Sequence, residues 1–349
     1  MPNRIDVGIL GSTGVVGQTF ISLLERHPWF KVTWLGASER SAGKSYDSAT
    51  RWRLPSALPE AVASMTIDQC VPGTAPQLVF SGLDSAVAGD IESEFARAGH
   101  TIVSNSRNFR MADDVPLLIP EVNPDHLGLL SVQADSRKWP GRIVTNPNCS
   151  TIILALALAP LRDFGLTAAT VSTLQAVSGA GYPGVSSLDM VGNVIPFIDG
   201  EEDKLETETQ KILGTFNSDR VLPHPIAISA QATRVPVVNG HTELVSVKMA
   251  SKVSLDELKK TFKQFRGQPQ EKLLPSAPSQ PIMYAIDKFR PTPRLDVNNG
   301  DAMAVTIGRL RSCHVLDYKF VVLGHNTVRG AAGAALLNAE LMQSEGLLT

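Results

Sequence analysis

Apolar positions in the first 145 residues follow two alternating periods. Residues 5–10, apolar apart from Asp6, suit a strand buried in a sheet. Residues 15–26 then place Val16, Phe20, Leu23 and Leu24 at helical spacing. Short runs at 32–35, 77–80, 101–104 and 141–145 read as further strands, and 85–98 as a helix. Such alternation predicts a parallel sheet with helices on both faces. Past residue 149 the texture changes. Runs 168–177, 243–250 and 302–311 are longer and β-rich, 319–323 is a late strand, and 255–265 reads as a helix. These predict a mixed, largely antiparallel sheet in a second domain. Residues 267–281 carry four prolines and read as loop, whereas 328–342, rich in Ala and Leu, reads as a closely packed last helix.

Composition narrows the function classes. With 43% apolar and 19% charged residues in 349, the chain is that of an ordinary globular protein, long enough for two domains. A net charge of −2 gives no electrostatic case for nucleic acid or an anionic membrane. The longest apolar run, 152–161, is about half a membrane span. The chain enters its first strand almost at once, without a cleavable apolar leader, so a soluble cytoplasmic protein is expected. Cys70, Cys149 and Cys313 are widely spaced, odd in number and form no CxxC. That argues for a reducing compartment, with neither a disulfide framework nor a metal site.

The candidate chemistry lies in a few segments. In Asn146-Pro147-Asn148-Cys149-Ser150-Thr151 a cysteine sits between a strand-like and a helix-like run. A helix N-terminus stabilises a thiolate through unpaired N–H groups and the macrodipole, so a depressed thiol pKa is expected. Asn148 and Ser150 are candidate caps. Gly8 to Gly17 runs from the first strand into the first helix. There Gly11 permits a tight turn, Gly14 lets a pyrophosphate approach backbone N–H groups, and Gly17 allows close helix–strand packing. Beyond the second strand, Ser38, Arg40, Ser41 and Lys44 suit the 2′-phosphate of NADP, while Glu39 turned inward would favour NAD. Arg234, able to hold a carboxylate, lies seven residues before His241, a candidate acid/base, with a Gly-bearing turn between them. Gln175 to Gly181 leaves a β run as a glycine loop and offers an amide and backbone N–H groups.

Together these segments resemble the aspartate-semialdehyde dehydrogenase family, in the branch found in archaea and fungi. The resemblance spans nearly the whole chain: GSTGVVG at 11–17, SNSRNFRM at 104–111, IPEVN at 119–123, NPNCST at 146–151, QAVSGAGYPG at 175–184, EEDKLETETQKILG at 201–214, RVPVVNGHTE at 234–243 and GHNTVRGAAG at 324–333. The related acetylglutamyl-phosphate reductases carry Gly before the cysteine and Tyr after it, where this chain has Asn148 and Ser150. The resemblance implies an α/β fold: a Rossmann-type NADP-binding domain over 1–148, completed by a C-terminal helix over 326–349. A catalytic and dimerisation domain over 149–325, of the glyceraldehyde-phosphate dehydrogenase type, would follow. The implied reaction is NADPH-dependent reduction of aspartyl 4-phosphate to aspartate 4-semialdehyde with release of phosphate, on the way to lysine, threonine and methionine.

Carried over by motif, Cys149 is the acyl-thioester nucleophile, His241 the acid/base, and Gln175 orients the acyl group. Arg234 would hold the substrate α-carboxylate and Glu201 its α-ammonium, although the adjacent Glu202 competes for that role. Arg110 and Lys204 would bind phosphate, with Asn108 or Arg107 nearby. Ser12, Thr13, Gly14 and Val15 would contact the pyrophosphate, with Gly11 and Ser81 completing that side. Ser38, Arg40 and Ser41 would read the 2′-phosphate. Ser178 and Gly179 would lie near the nicotinamide, and Asn326 would close over the cofactor. A homodimer or homotetramer is implied, with no nucleic-acid or membrane partner. A malonyl-CoA reductase of the same superfamily would keep Cys149 and His241 but has no ammonium or phosphate to bind, so Glu201, Lys204 and Arg110 weigh against it. A non-catalytic NADP-binding regulator would be expected to have lost the nucleophile or the base, and both are present.

Overall fold

The computed structural model describes residues 4–348; residues 1–3 and 349, which the expected domain ranges include, lie outside the described residues. The first sheet contains β1 (Ile5–Leu10), β2 (Phe30–Ala37), β3 (Asp68–Gln69), β4 (Leu78–Ser81), β5 (Thr101–Ser104) and β6 (Arg142–Thr145). All its pairings are parallel, in the order β3-β2-β1-β4-β5-β6. Strand order reverses between β1 and β4, which opens a crevice at their C-terminal ends. The turn leaving β1 fills one side of that crevice and leads into α1 (Val15–Leu24). Gly11 there has φ +73°, and a Cβ on Gly17 would lie 2.4 Å from the Gly11 carbonyl oxygen. Both positions therefore need glycine. Helices α2 (Ser85–Arg97) and α3 (Leu129–Arg137) complete the crossovers around β5 and β6.

The second sheet is mixed. It comprises β7 (Leu166–Gln175), β10 (Ala227–Arg234), β11 (His241–Met249), β12 (Ile282–Tyr284), β13 (Val305–Ser312) and β14 (Tyr318–Gly324), ordered β10-β7-β11-β14-β13-β12. The intervening β8 (Thr215–Asn217) and β9 (Arg220–Leu222) form a separate hairpin. Pairings from β7 through β11 and β14 to β13 are antiparallel, and the two outer ones are parallel. Helix α4 (Cys149–Leu158) packs against this sheet, buried at every position from Ser150 to Leu158, which is why that run is apolar all round. Helix α5 (Glu201–Ile212) lies beside α4 and β10, and α6 (Leu255–Gln264) beside β12 and β13.

The last element, α7 (Gly333–Ser344), returns to the first sheet. Its Leu336, Leu341 and Met342 share one core with Val7, Ile9, Phe20 and Phe80. The expected helix over 328–342 begins differently: Val328–Ala332 is a π-helical turn, and α7 follows it. Several elements escape the hydrophobic pattern, among them α3, α5, β10 and the short strands β3, β8, β9 and β12. The strand expected over 243–250 begins earlier, because ladder pairing with β14 already starts at His241 opposite Gly324.

A buried ion pair joins the π-helical turn to the IPEVN segment. Arg329 Nη1 and Nη2 each donate to a different oxygen of Glu121 at 2.8 Å, and both side chains have 0% exposure. The bidentate geometry offsets the desolvation of two charges. Replacing one partner leaves the other charge unpaired in the interior. Glu121→Gln is expected to lower unfolding stability by about 3–5 kcal/mol, measured by guanidinium titration. A loss under about 1 kcal/mol would show the pair to be dispensable.

Candidate active site

Cys149 is the first residue of α4, and Asn148 caps the helix: its Oδ1 accepts the N–H of Ser150 at 3.0 Å and of Thr151 at 3.2 Å. The half-buried Cys149 Sγ lies 3.2 Å from Nε2 of His241, the first residue of β11. His241 Nδ1 accepts the Ala176 N–H at 3.0 Å. The ring proton is therefore on Nε2, pointing at sulfur. Two glycines permit this packing. A Cβ on Gly330 would lie 2.7 Å from Cys149 Cβ, and one on Gly179 would lie 3.0 Å from Arg234 Nη1 and 3.2 Å from His241 Nε2.

The electrostatics correct the expectation of a depressed thiol pKa. Burial, reinforced by the Glu201 carboxylate, pushes the Cys149 thiol up to about 12. Arg110, Arg234 and the Ser150 N–H pull the other way, so the helix terminus acts as expected but is outweighed. Burial, with Arg234 and His325 nearby, pushes His241 down to about 3. Without ligand the pair is a neutral thiol facing a neutral imidazole. Glu243 lies two residues along the same buried face of β11; burial holds its carboxyl well above the ordinary range, and neither oxygen has a protein partner. His325 is buried nearby, and its Nδ1 accepts the N–H groups of Thr327 and Val328 at 3.3 Å.

Sheet register assembles the rest. Gln175 ends β7 opposite Arg234, the last residue of β10, and Thr242 pairs with Leu174, so Gln175, Arg234 and His241 emerge at one edge. Arg234 Nη1 donates to the Ala176 carbonyl at 2.8 Å. Gln175 Nε2 donates to Glu201 Oε2 at 3.1 Å, Asn148 Nδ2 to Glu201 Oε1 at 2.9 Å, and Lys204 Nζ to that same oxygen at 2.9 Å. Glu202 points away and accepts the Ala232 N–H on β10 at 2.9 Å. Of the two adjacent carboxylates, Glu201 is the one that faces the site.

Arg110 is buried, with Nη1 on Glu208 Oε1 at 3.0 Å and Nη2 on the Asn105 carbonyl at 2.6 Å. Asn108 is not brought to it. That side chain is exposed, donates to the Ser85 carbonyl at 3.0 Å and accepts from the Ser106 hydroxyl, tying its loop to the start of α2. Asn105 stands beside Arg110 instead, its Oδ1 taken by Asn146 Nδ2 at 3.0 Å. Glu208 and Lys211, which sequence reasoning missed, share a helix face with Glu201 and Lys204. Lys211 Nζ donates to the carbonyls of Arg110, Ala112 and Val115 at 2.7–3.0 Å and so pins the arginine's loop.

On the crevice side, α1 begins at Val15 with no side-chain cap on its N-terminal amides, which leaves them for an anion. Thr13 and Gly14 line the mouth of this turn. The buried Ser12 hydroxyl has no protein partner, whereas the Ser81 hydroxyl faces the Glu92 carboxyl. At the tip of β2, Ser38 and Arg40 are exposed and Ser41 N–H donates to the Ser38 carbonyl at 2.9 Å. Glu39 is exposed too rather than turned inward. Asn326 Oδ1 accepts the Gly240 N–H and its Nδ2 donates to Ser178 Oγ, both at 2.8 Å, joining the two loops beside the thiol. The uncapped helix end, the unpartnered Ser12 hydroxyl and the exposed Arg40 guanidinium fit a phosphorylated dinucleotide.

Residues 6–130 match the family model for the semialdehyde dehydrogenase NAD binding domain, and residues 158–329 that for the semialdehyde dehydrogenase dimerisation domain. An aspartate-semialdehyde dehydrogenase from Archaeoglobus fulgidus is 49% identical over 346 residues, covering 99% of this chain and 100% of that one. The enzyme of the same description from Schizosaccharomyces pombe is 48% identical over 353 residues, covering 98% and 99%. The crystal structure of aspartate semialdehyde dehydrogenase with NADP from Candida albicans has a TM-score of 0.91 at 41% identity, covering 99% of this chain and 100% of that one.

The charge on Glu201 raises the thiol pKa, so removing it has a defined sign. Glu201→Gln should speed alkylation of Cys149 by iodoacetamide at pH 8 in the ligand-free protein, and shift the rate–pH curve to lower pH. An unchanged or slower rate would show that burial alone sets the thiol.

Proposed function

The chain belongs to the aspartate-semialdehyde dehydrogenase family, and we propose that it runs that family's chemistry through Cys149, assisted by His241 and Gln175. The reaction is reduction of L-aspartyl 4-phosphate to L-aspartate 4-semialdehyde by NADPH with release of phosphate, a step in amino-acid biosynthesis. The observation that carries the residue assignment is the 3.2 Å contact of Sγ with Nε2 at the start of α4, ringed by Arg234, Glu201 and Arg110.

In our reading Arg234 holds the α-carboxylate with its remaining N–H groups, Glu201 the α-ammonium, and Arg110 with Lys204 the phosphate. The substrate's ammonium offsets the Glu201 charge that, added to burial, keeps the thiol protonated. The Cys149 sulfur attacks the acyl carbon as its proton passes to the departing phosphate. The C–O bond to phosphate breaks, phosphate leaves with the electron pair, and a thioester remains on the protein. The glycine turn at 11–17, with Ser178 and Gly179, would hold NADPH, which when bound would supply the hydride that a thioester accepts and a carboxylate does not. His241 stabilises through its Nε2–H the oxyanion that hydride transfer leaves; the carbonyl then re-forms, the C–S bond breaks with its electron pair on sulfur, and the released thiolate takes up a proton from water to restore the thiol. Gln175, fixed by Glu201, orients the acyl group.

Domains over 1–148 with 326–349, and over 149–325, follow from the same reading. For assembly we propose a homodimer, or dimers paired as a tetramer, using the second sheet's outer face, where Leu244 is exposed. No helix among the described residues is long and apolar enough to cross a membrane. Three free cysteines support our placing it in the cytoplasm.

Phosphate-dependent oxidation of aspartate semialdehyde, with NADP in excess, tests the assignment as a whole. Cys149→Ala should abolish it while NADP still binds, and residual activity within tenfold would remove Cys149 from the mechanism. His241→Asn should lower kcat roughly 10²–10⁴-fold and flatten one limb of the pH profile; a change confined to KM would refute the oxyanion-stabilising role. Arg40→Ala should weaken NADP about ten- to a hundredfold and leave NAD nearly unchanged. Equal losses would assign the 2′-phosphate to Ser38 or Ser41 instead.

A further inference from the structure

Glu208 has only 2% exposure and spends its two oxygens on different segments. Oε1 accepts from Arg110 Nη1 at 3.0 Å, and Oε2 accepts the backbone N–H of Asn148 at 2.7 Å. Asn148 is the cap of α4 and immediately precedes the nucleophile. Its polar atoms are divided among three partners: the N–H to Glu208, Oδ1 to the first turn of α4, and Nδ2 to Glu201. Arg110 retains an Nε with no partner in the protein. A single carboxylate thus bridges an anion-seeking guanidinium and the backbone that sets the position of Cys149.

We infer that Glu208 is a positioning residue that holds the phosphate-binding Arg110 and the start of the nucleophile's helix in one frame. The inference rests on the assignment of Arg110 to phosphate made above. Bridging needs two acceptors at one fixed span. A glutamine in this place turns an N–H₂ toward either Arg110 or the Asn148 N–H, so one arm faces donor against donor. An aspartate keeps both acceptors but is one methylene shorter and cannot reach both partners. Holding Arg110 partly neutralised also tempers its grip on a group that must leave in the biosynthetic direction. Arg234, assigned above to the substrate's carboxylate, bonds to the Ala176 carbonyl and to none of Glu208, Arg110 and Asn148, so it is outside this frame.

The test is steady-state kinetics in the phosphate-dependent direction on Glu208→Gln, Glu208→Asp, Arg110→Lys and the double variant Arg110→Lys/Glu208→Gln. Rates are normalised to Cys149 thiols titrated, and NADP binding reports the fold. Glu208→Gln is expected to raise KM for phosphate about ten- to a hundredfold and lower kcat, with KM for the semialdehyde within twofold. Arg110→Lys should raise the same constant, and the double variant should fall short of the product of the two effects, because both break one bridge. An unchanged phosphate KM in Arg110→Lys would overturn the Arg110 assignment and this inference with it. A raised value there, beside an unchanged one in folded Glu208→Gln, would overturn this inference alone. Equal rises in both KM values, additive effects, or loss of fold in both Glu208 variants would likewise make Glu208 a structural residue.

Discussion

The start of α4 is the constraint on which the site depends. A helix places its first residue only as well as its cap is held, and here the cap is held from two domains. Thr145, the end of β6, stands just before Pro147, and Asn148 is then tied to the second domain through α5. The thiol consequently has little freedom relative to His241, whose ring is fixed by a backbone amide. Gly330 lies so close to Cys149 that a side chain there would collide with it. Geometry of this kind is what lets a reaction between two small groups proceed without a search for alignment.

The same enclosure sets the charge states. A buried site weakens every ionised group it does not pair: the thiol and the imidazole here are neutral, and the Glu243 carboxyl is pushed up. The charged groups that persist are shared, Glu201 among Lys204, Asn148 and Gln175, and Arg110 with Glu208. Arg234 has its charge satisfied in part by a carbonyl. A substrate with one ammonium, one carboxylate and one phosphate supplies the counter-charges the resting site lacks. Low dielectric then makes those contacts stronger than they would be in water.

Much of this was legible in the sequence because certain residue types are demanded by the local backbone. A glycine turn between an apolar strand and a helix announced the crevice, and a cysteine after Asn-Pro-Asn announced a helix start. What stayed hidden did so for physical reasons. Helix α5 shows little apolar period because its buried stripe is largely charged, Glu201, Glu208 and Lys211 beside Leu205 and Ile212. Strand β10 alternates small and polar residues, and two α5 carboxylates, Glu202 and Glu206, take N–H groups along its edge. Asn108 looked placed for phosphate because of its neighbours in sequence, yet only tertiary bonding decided that Asn105 is the one beside Arg110. The thiol pKa departs from expectation since local sequence reports a helix end but not how much water reaches it.

The return of α7 to the first sheet has a consequence for how the protein comes into being. Val7 and Ile9 are made first, yet the core around them is filled by Leu336, Leu341 and Met342, near the opposite end. Gly330 reaches Cys149 only by that same return. On the ribosome, about 180 residues of chain follow the cysteine before the segment that encloses it exists. The nascent polypeptide therefore carries an open thiol and an unfinished nucleotide crevice through most of its synthesis, and the last turns of helix complete both at once.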